Sequence, residues 1–199
     1  MMQRIRVRGP EGIRVRGPEG IRVRGPEGIR VRERASMDTA EIRPVTEADA
    51  PEITRIFNHY VRKSFAAFPD REVGRSFILQ LLEQTKDYGC YAVESDGEVI
   101  GFGVVRPLYP FPNLMAAGEV SYFICPGFTG RGMGTRLIGV LEGKARELGM
   151  RSLVARVSSR NRKSIRFHRK NGFSICGRIR AVGTKFGKPF DVVILQKFL

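Results

Sequence analysis

Residues 119–149, EVSYFICPGFTGRGMGTRLIGVLEGKARELG, constrain this chain more than any other stretch. The opening EVSYFIC is rich in β-branched and aromatic side chains and stops at Pro126, as a strand does. Three alternate glycines follow, Gly130, Gly132 and Gly134. Met133, Leu137, Leu141 and Leu148 then recur on one helical face up to Gly149, a C-terminal stop. With SLVARV as the next β-like run, the order is strand, glycine loop, helix, strand. Glycines at that junction let backbone N–H groups close around a phosphate at the helix N-terminus. A Walker loop would need Lys-Ser/Thr after its last glycine, where Thr135 and Arg136 stand. A dinucleotide-binding unit would want an acid near the end of the next strand, where Val157, Ser158 and Ser159 stand. Glycines present only for helix-on-sheet packing are the plainer alternative, yet three in alternation exceed what packing needs.

The remaining elements build a mixed sheet around this unit. EIRPV from Glu41 reads as a short strand. Thr46 and Asp49 form a capping-box signal, and Pro51 suits a first helical turn. Ile53, Ile56, Phe57, Tyr60 and Val61 then share one face of a helix, and Val73, Phe77, Ile78, Leu81 and Leu82 share one face of a second, over about 72–84. YAVES and EVIGFGVV are strands joined by Asp96-Gly97, a dipeptide suited to a tight hairpin. After a proline-rich loop at 107–112 comes the strand–loop–helix unit, then a short helix over 160–171 capped by Ser159 or Asn161. FSICGRIRAV and FDVVILQKF are the last strands. The predicted fold class is α/β, an α+β mixed sheet in the order β-α-α-β-β-β-α-β-α-β-β.

Composition narrows the function classes. No stretch reaches the roughly 20 apolar residues of a membrane span, and no apolar block follows the N-terminal arginines as a secretory signal requires. Cys90, Cys125 and Cys176 match neither a disulfide framework nor a zinc site, and only His59 and His168 are present, so no metal is expected. The reading is a soluble, cytoplasmic protein. The net charge is +15, of which residues 1–36 supply +6. That segment is IRVRGPEG written three times from Ile5, then IRVRERAS. A period of eight, with a Gly-Pro break in each copy, builds no packed core, so a disordered or transiently extended arm is expected, with the folded domain at 37–199. The arm is either a basic tether for RNA or acidic lipid, or duplicated upstream sequence with Met37 the natural start. Glu11, Glu19 and Glu27 dilute its basic pairs, so nucleic acid is not the expected partner. Between Leu148 and Phe190, by contrast, there is no Asp or Glu among many Lys and Arg, a self-repelling block that an anionic ligand would relieve.

EVSYFICPGFTGRGMGTRLI resembles the acyl-CoA motif of the GNAT superfamily, and NRKSIRFHRKNGF resembles its second cofactor segment, with Asn161, Ser164 and the Gly172-Phe173 pair in place. The chain also resembles the phosphinothricin acetyltransferases over about 41–198, through IFNHYV, His168 and VGTKFGKPFDVV. Thr129 departs from the family's usual Gln or Arg, and the loops LYPFPNLMAAG and SFAAFPD also differ. The resemblance implies acetyl-CoA as acyl donor, held by Thr129, Gly130, Arg131, Gly132, Met133, Gly134 and Thr135, by Asn161 and Ser164, and by the strand at Phe123, Ile124 and Cys125. A homodimer is common in that subfamily.

Amine acetylation needs a neutral nitrogen, an N–H donor for the developing oxyanion and a proton for the leaving thiolate. The resemblance assigns Glu119 to the amine's proton, directly or through water. It assigns His168 to the thiolate, since imidazole titrates near neutrality. Without an evident base nearby, Cys125 reads as a buried strand residue rather than a nucleophile, so direct transfer is expected. Tyr60, Phe65, Phe68, Lys185 and Asp191 are candidates for the acceptor pocket, although core packing or surface pairing explains each as well. The expected function is acetylation of a small, amino-acid-like amine. Acetylation of a protein lysine or N-terminus, and a non-catalytic acyl-CoA or nucleic-acid binding module, are the alternatives.

Overall fold

The computed structural model describes residues 15–17, 20–24, 30–32 and 40–199. Three short strands, β1 (Val15–Gly17), β2 (Gly20–Arg24) and β3 (Arg30–Arg32), pair antiparallel with one another. The rest of the repeat segment, and with it the expected disorder of the arm, lies outside the described residues.

The second sheet has seven strands: β4 (Glu41–Pro44), β5 (Cys90–Ser95), β6 (Glu98–Pro107), β7 (Ala117–Ile124), β8 (Ser152–Ser158), β9 (Ser174–Lys185) and β10 (Lys188–Phe198), in the spatial order β4-β5-β6-β7-β8-β10-β9. Only β7 and β8 run parallel, because the helix α3 (Met133–Glu147) crosses over between them. With α1 (Ala50–Lys63), α2 (Arg75–Thr85) and α4 (Arg162–Lys170), the chain order of the seven strands and four helices is the one read from the sequence.

Local chemistry explains the element ends. Asp96 and Gly97 both take positive φ, 50° and 75°, so the β5–β6 hairpin turns as its dipeptide dictates. Thr46 and Asp49 form the capping box on a 3-10 turn that leads into α1, and Arg43 grips both Asp49 oxygens at 2.8 Å, holding that carboxyl down at about 2. Helix α2 starts later than its apolar periodicity suggests. The Asn58 amide bonds both the N–H and the C=O of Val73, each at 2.9 Å, which fixes Val73 in the preceding loop. The last two strands extend further than expected, up to a turn at Phe186 and Gly187, both at positive φ.

The sheet divides the core in two. A Cβ on Gly103 would lie 3.0 Å from Leu137 and 3.1 Å from Leu141, so α3 packs on that face of β6. The adjacent Phe102 points the other way and stacks on Phe123 at 5.5 Å, which in turn meets Phe57 of α1 at 5.2 Å. Helix α4 shares the α3 face, since Phe167 rests on Gly134 where a Cβ would come within 3.0 Å of its ring. That close contact sets the basic helix α4 against the first turn of α3.

Candidate active site

The parallel pairing of β7 with β8 lasts for three residues, Ala117–Glu119 against Ser152–Val154, and then the strands part. Each is held elsewhere: β7 follows β6 as far as Ile124 opposite Gly101, and β8 follows β10 along its whole length. Gly101 is required here, because a Cβ would sit 2.9 Å from the Phe123 carbonyl. The Cys125 N–H goes to Ile100 at 2.7 Å, so strand alternation turns the Ile124 and Tyr122 N–H groups toward the gap and the Phe123 N–H toward β6. Among the backbone groups expected around Phe123 and Ile124, the Ile124 amide is therefore the one that faces the gap. The Tyr60 hydroxyl, its pKa pushed up to about 12 by burial, donates to the Ile124 carbonyl and satisfies that acceptor without a strand partner.

The gap opens into a cleft of about 410 Å³, mouth included, whose lining comes from both faces of the sheet. Ala66, in the loop after α1, lies on one side; Asn161, Ser164 and His168 of the α4 segment lie on the other. Glu119 lies on the α1 face by alternation with Phe123, and is 6% exposed. Its Oε2 accepts from Arg106 at 3.0 Å and its Oε1 from Arg156. Tyr122 and His168 lie on the α3 and α4 face. The His168 Nδ1 is 2.8 Å from the Ser164 carbonyl, an acceptor only, so Nδ1 carries the proton and Nε2 accepts from the Tyr122 hydroxyl at 2.7 Å. Burial lowers the His168 pKa against the opposing pull of that carbonyl, and burial raises the Tyr122 pKa well above its ordinary value. His168 is thus neutral near pH 7, with a buried tyrosine as its partner. Sequence reasoning missed Tyr122, as it missed the arginine partners of Glu119; the signal for Tyr122 would have been a polar aromatic on the strand face that alternates with Glu119.

The glycine bend suits an anion. Gly130 and Gly132 have φ of 78° and 87°, a region closed to other residues without strain. Gly132 is the N-cap of α3, whose first turn has neither a side-chain cap nor an acidic residue, so the N–H groups from Met133 to Thr135 present the positive end of the helix. Thr129 does not reach into this cradle: its hydroxyl donates back to the Pro126 carbonyl at 2.9 Å. Arg131 lies over the Phe128 ring at 5.7 Å. On α4, Arg162, Lys163, Arg166, Arg169 and Lys170 are exposed, and none has an acidic partner among the described residues. Asn161 caps α4, its Oδ1 accepting from the Ser164 N–H at 3.2 Å. An uncapped helix end beside an unpaired basic helix fits a polyphosphate, as the pyrophosphate and 3′-phosphate of CoA require.

The other candidates fall in three places. Cys125 belongs to the core, and burial pushes its thiol up to about 11, so it stays protonated and is no nucleophile. Phe65 meets Phe186 at 5.5 Å and Phe190 at 5.9 Å, and Phe68 stacks on Phe190 at 6.0 Å. Beneath this aromatic wall the Lys185 ammonium, 3% exposed, donates to the Ala67 carbonyl at 2.6 Å and ties the loop containing Ala66 to the β9–β10 turn. Asp191 stands apart from the cleft. It accepts from the Ala181 N–H at 2.8 Å and from Arg178 at 2.7 Å, bracing an irregular stretch of β9 where Ala181 has a φ of 48°. No cluster of His, Cys, Asp and Glu able to hold a metal ion occurs among the described residues, and no described helix is long and apolar enough to cross a membrane.

Comparison with known proteins agrees with this geometry. The acetyltransferase (GNAT) family profile matches residues 53–173. An L-methionine sulfoximine/L-methionine sulfone acetyltransferase of Salmonella typhimurium is 32% identical over 157 residues, covering 78% of this chain and 92% of that protein. A GNAT superfamily phosphinothricin acetyltransferase of Sinorhizobium meliloti, crystallised with AcCoA, superposes with a TM-score of 0.76 at 27% identity, covering 81% of this chain and 89% of its own. A ribosomal-protein-alanine N-acetyltransferase of Brucella melitensis superposes with a TM-score of 0.75 at 32% identity, covering 80% and 99% respectively. The split strands, the glycine bend at the head of α3 and these similarities lead to one conclusion: the chain belongs to the acetyltransferase (GNAT) family and is an acetyl-CoA-dependent N-acyltransferase.

Proposed function

We propose that this enzyme acetylates the amine of a small, amino-acid-like acceptor by direct attack, within a catalytic domain formed by residues 37–199. The observation that carries the reading is the cleft where β7 and β8 part, lined by Tyr122 and His168 on one face of the sheet and by Phe123 and Arg156 on the other, where Arg156 holds the buried Glu119. Acceptor and donor then meet from opposite sides, each beside the group its proton chemistry needs. Acetyl-CoA supplies an acetyl group activated as a thioester. The backbone of Gly130, Arg131, Gly132, Met133, Gly134 and Thr135 holds its pyrophosphate, with Asn161 and Ser164 flanking the pantetheine path. The Ile124 N–H stabilises the developing oxyanion.

Glu119 accepts the amine's proton through water, since each of its oxygens keeps one lone pair beyond the arginine bond. The Tyr122 hydroxyl turns from His168 Nε2 to give its proton to the leaving thiolate, and takes one back from solvent once CoA departs. Phe65, Phe68 and Tyr60 form the acceptor's apolar wall, with Lys185 fixing the loop that carries it. The acceptor class follows the relative that acts on methionine sulfoximine and methionine sulfone. The ribosomal-protein-alanine enzyme favours a second reading, a protein N-terminus as acceptor.

A thiol-release assay with acetyl-CoA separates the two. Free amino acids and related amines are expected to turn over faster than peptides with N-terminal alanine, and residues 37–199 alone to retain most of the full chain's rate. Faster turnover of the peptides, or loss of activity on truncation, contradicts the proposal.

A further inference from the structure

On the α1 face the cleft is bounded by an aromatic ring with no room to retreat. Phe123 lines the cleft on that face with Ala66, Ser121 and Arg156. Its ring stacks on Phe102 at 5.5 Å, meets Phe57 edge-on at 5.2 Å and leans on Tyr60 at 5.3 Å. Phe102 is buried in the core, and the Tyr60 hydroxyl donates to the Ile124 carbonyl, so neither ring gives way without breaking close packing or a hydrogen bond. The backbone is held as firmly, since the Phe123 carbonyl lies 2.9 Å from where a Cβ on Gly101 would stand. Acyl transfer requires that the thioester reach the Ile124 N–H; it does not require an immobile ring beside it.

Three placements give the direction of the acyl chain. The thioester carbonyl oxygen turns to the Ile124 N–H, in the plane of the sheet. The phosphate cradle at the head of α3 lies on the Tyr122 face, so the sulfur comes from that side. A thioester carbon is planar, and its third substituent therefore leaves toward the opposite face, where Phe123 and Ala66 stand.

Building on the acyl-transfer reading above, we propose that Phe123 sets the length of acyl chain the enzyme accepts: its ring admits the methyl of an acetyl group and turns away propionyl and longer chains. An added methylene meets a ring backed by Phe102, Phe57 and Tyr60, and making room for it overpacks the core. The donor class is then acetyl-CoA in preference to its longer homologues.

The test is a calorimetric titration of CoA and of acetyl-, propionyl- and butyryl-CoA, without acceptor, into the wild type, Phe123→Leu and Ala66→Val. Values of kcat/KM for the three thioesters with one amine follow. In the wild type Kd is expected to rise about tenfold or more from acetyl- to propionyl-CoA, the range of one misfit methylene, and further for butyryl-CoA. Phe123→Leu is expected to draw the three Kd values together with that of free CoA unchanged, and to raise kcat/KM for propionyl-CoA in absolute terms. Ala66→Val narrows the same side of the cleft and steepens the preference, which keeps the proposal open to refutation should Phe123→Leu fail to fold. Equal wild-type affinities and rates for the three donors overturn the inference while leaving the acyl-transfer reading intact. A preference unchanged in the folded variants overturns the assignment to Phe123, as does an equal fall in affinity for CoA and all three thioesters. Donors that bind but acylate no amine sink the acyl-transfer reading, and the Kd series still decides the role of the ring.

Discussion

Replacing Glu119 by Gln is expected to lower kcat by at least about 100-fold at saturating acceptor, the scale of a lost general base. The substitution keeps the shape of the side chain and removes both its charge and its capacity to take a proton. It acts at a buried site whose two oxygens are held by Arg106 and Arg156, so the variant also leaves two guanidiniums facing each other across a neutral amide. Because both arginines are partly solvated, that repulsion costs on the order of 1 kcal/mol rather than the several of a fully buried pair. A modest fall in Tm, measured alongside the steady-state rates, accompanies the loss of turnover. If kcat is retained and only the acceptor KM rises, Glu119 serves to orient the arginines and is not the base.

Leu137→Ala is expected to have the largest effect on stability, about 2–5 kcal/mol in chemical denaturation. Leu137 is fully buried in α3, and its side chain fills the space left by the missing Cβ of Gly103 on β6. Neighbours of this cavity include Leu141, packed against the same glycine, so the site cannot collapse without moving the helix. For a domain of this size the loss corresponds to a fall in Tm on the order of 10 °C. Because α3 also presents the glycine bend, the variant is expected to bind CoA more weakly at temperatures where it is still folded. A destabilisation below about 1 kcal/mol would show that the helix does not rest on the sheet as described.

Much of this architecture was legible in the sequence because it depends on local signals. Asp96-Gly97 fixed one hairpin, Asn161 capped one helix, and Gly130 and Gly132 marked the bend where the chain needs positive φ. The start of α2 was not legible, because Val73 is held by the side chain of Asn58, fifteen positions away. The site divides along the same line. Glu119 and His168 were singled out from motifs, but their partners were not: Arg106 and Arg156 reach Glu119 across strand register, and Tyr122 meets His168 forty-six positions away. Asp191 looked like a pocket residue and instead braces β9, since the bulge that exposes the Ala181 N–H to it has no local sequence signature. Lys185, a candidate for the acceptor pocket, is a buried tether of the loop that borders the cleft.

The most direct measurement is calorimetric titration of CoA into the folded protein, paired with Gly132→Val. A β-branched residue at φ of 87° strains the N-cap of α3 and disturbs the amides that face the pyrophosphate. Saturable, exothermic uptake by the wild type, weakened about tenfold or more in the variant, is the predicted result. Well-folded wild-type protein that takes up no CoA, or a variant that binds it equally well, would contradict the account.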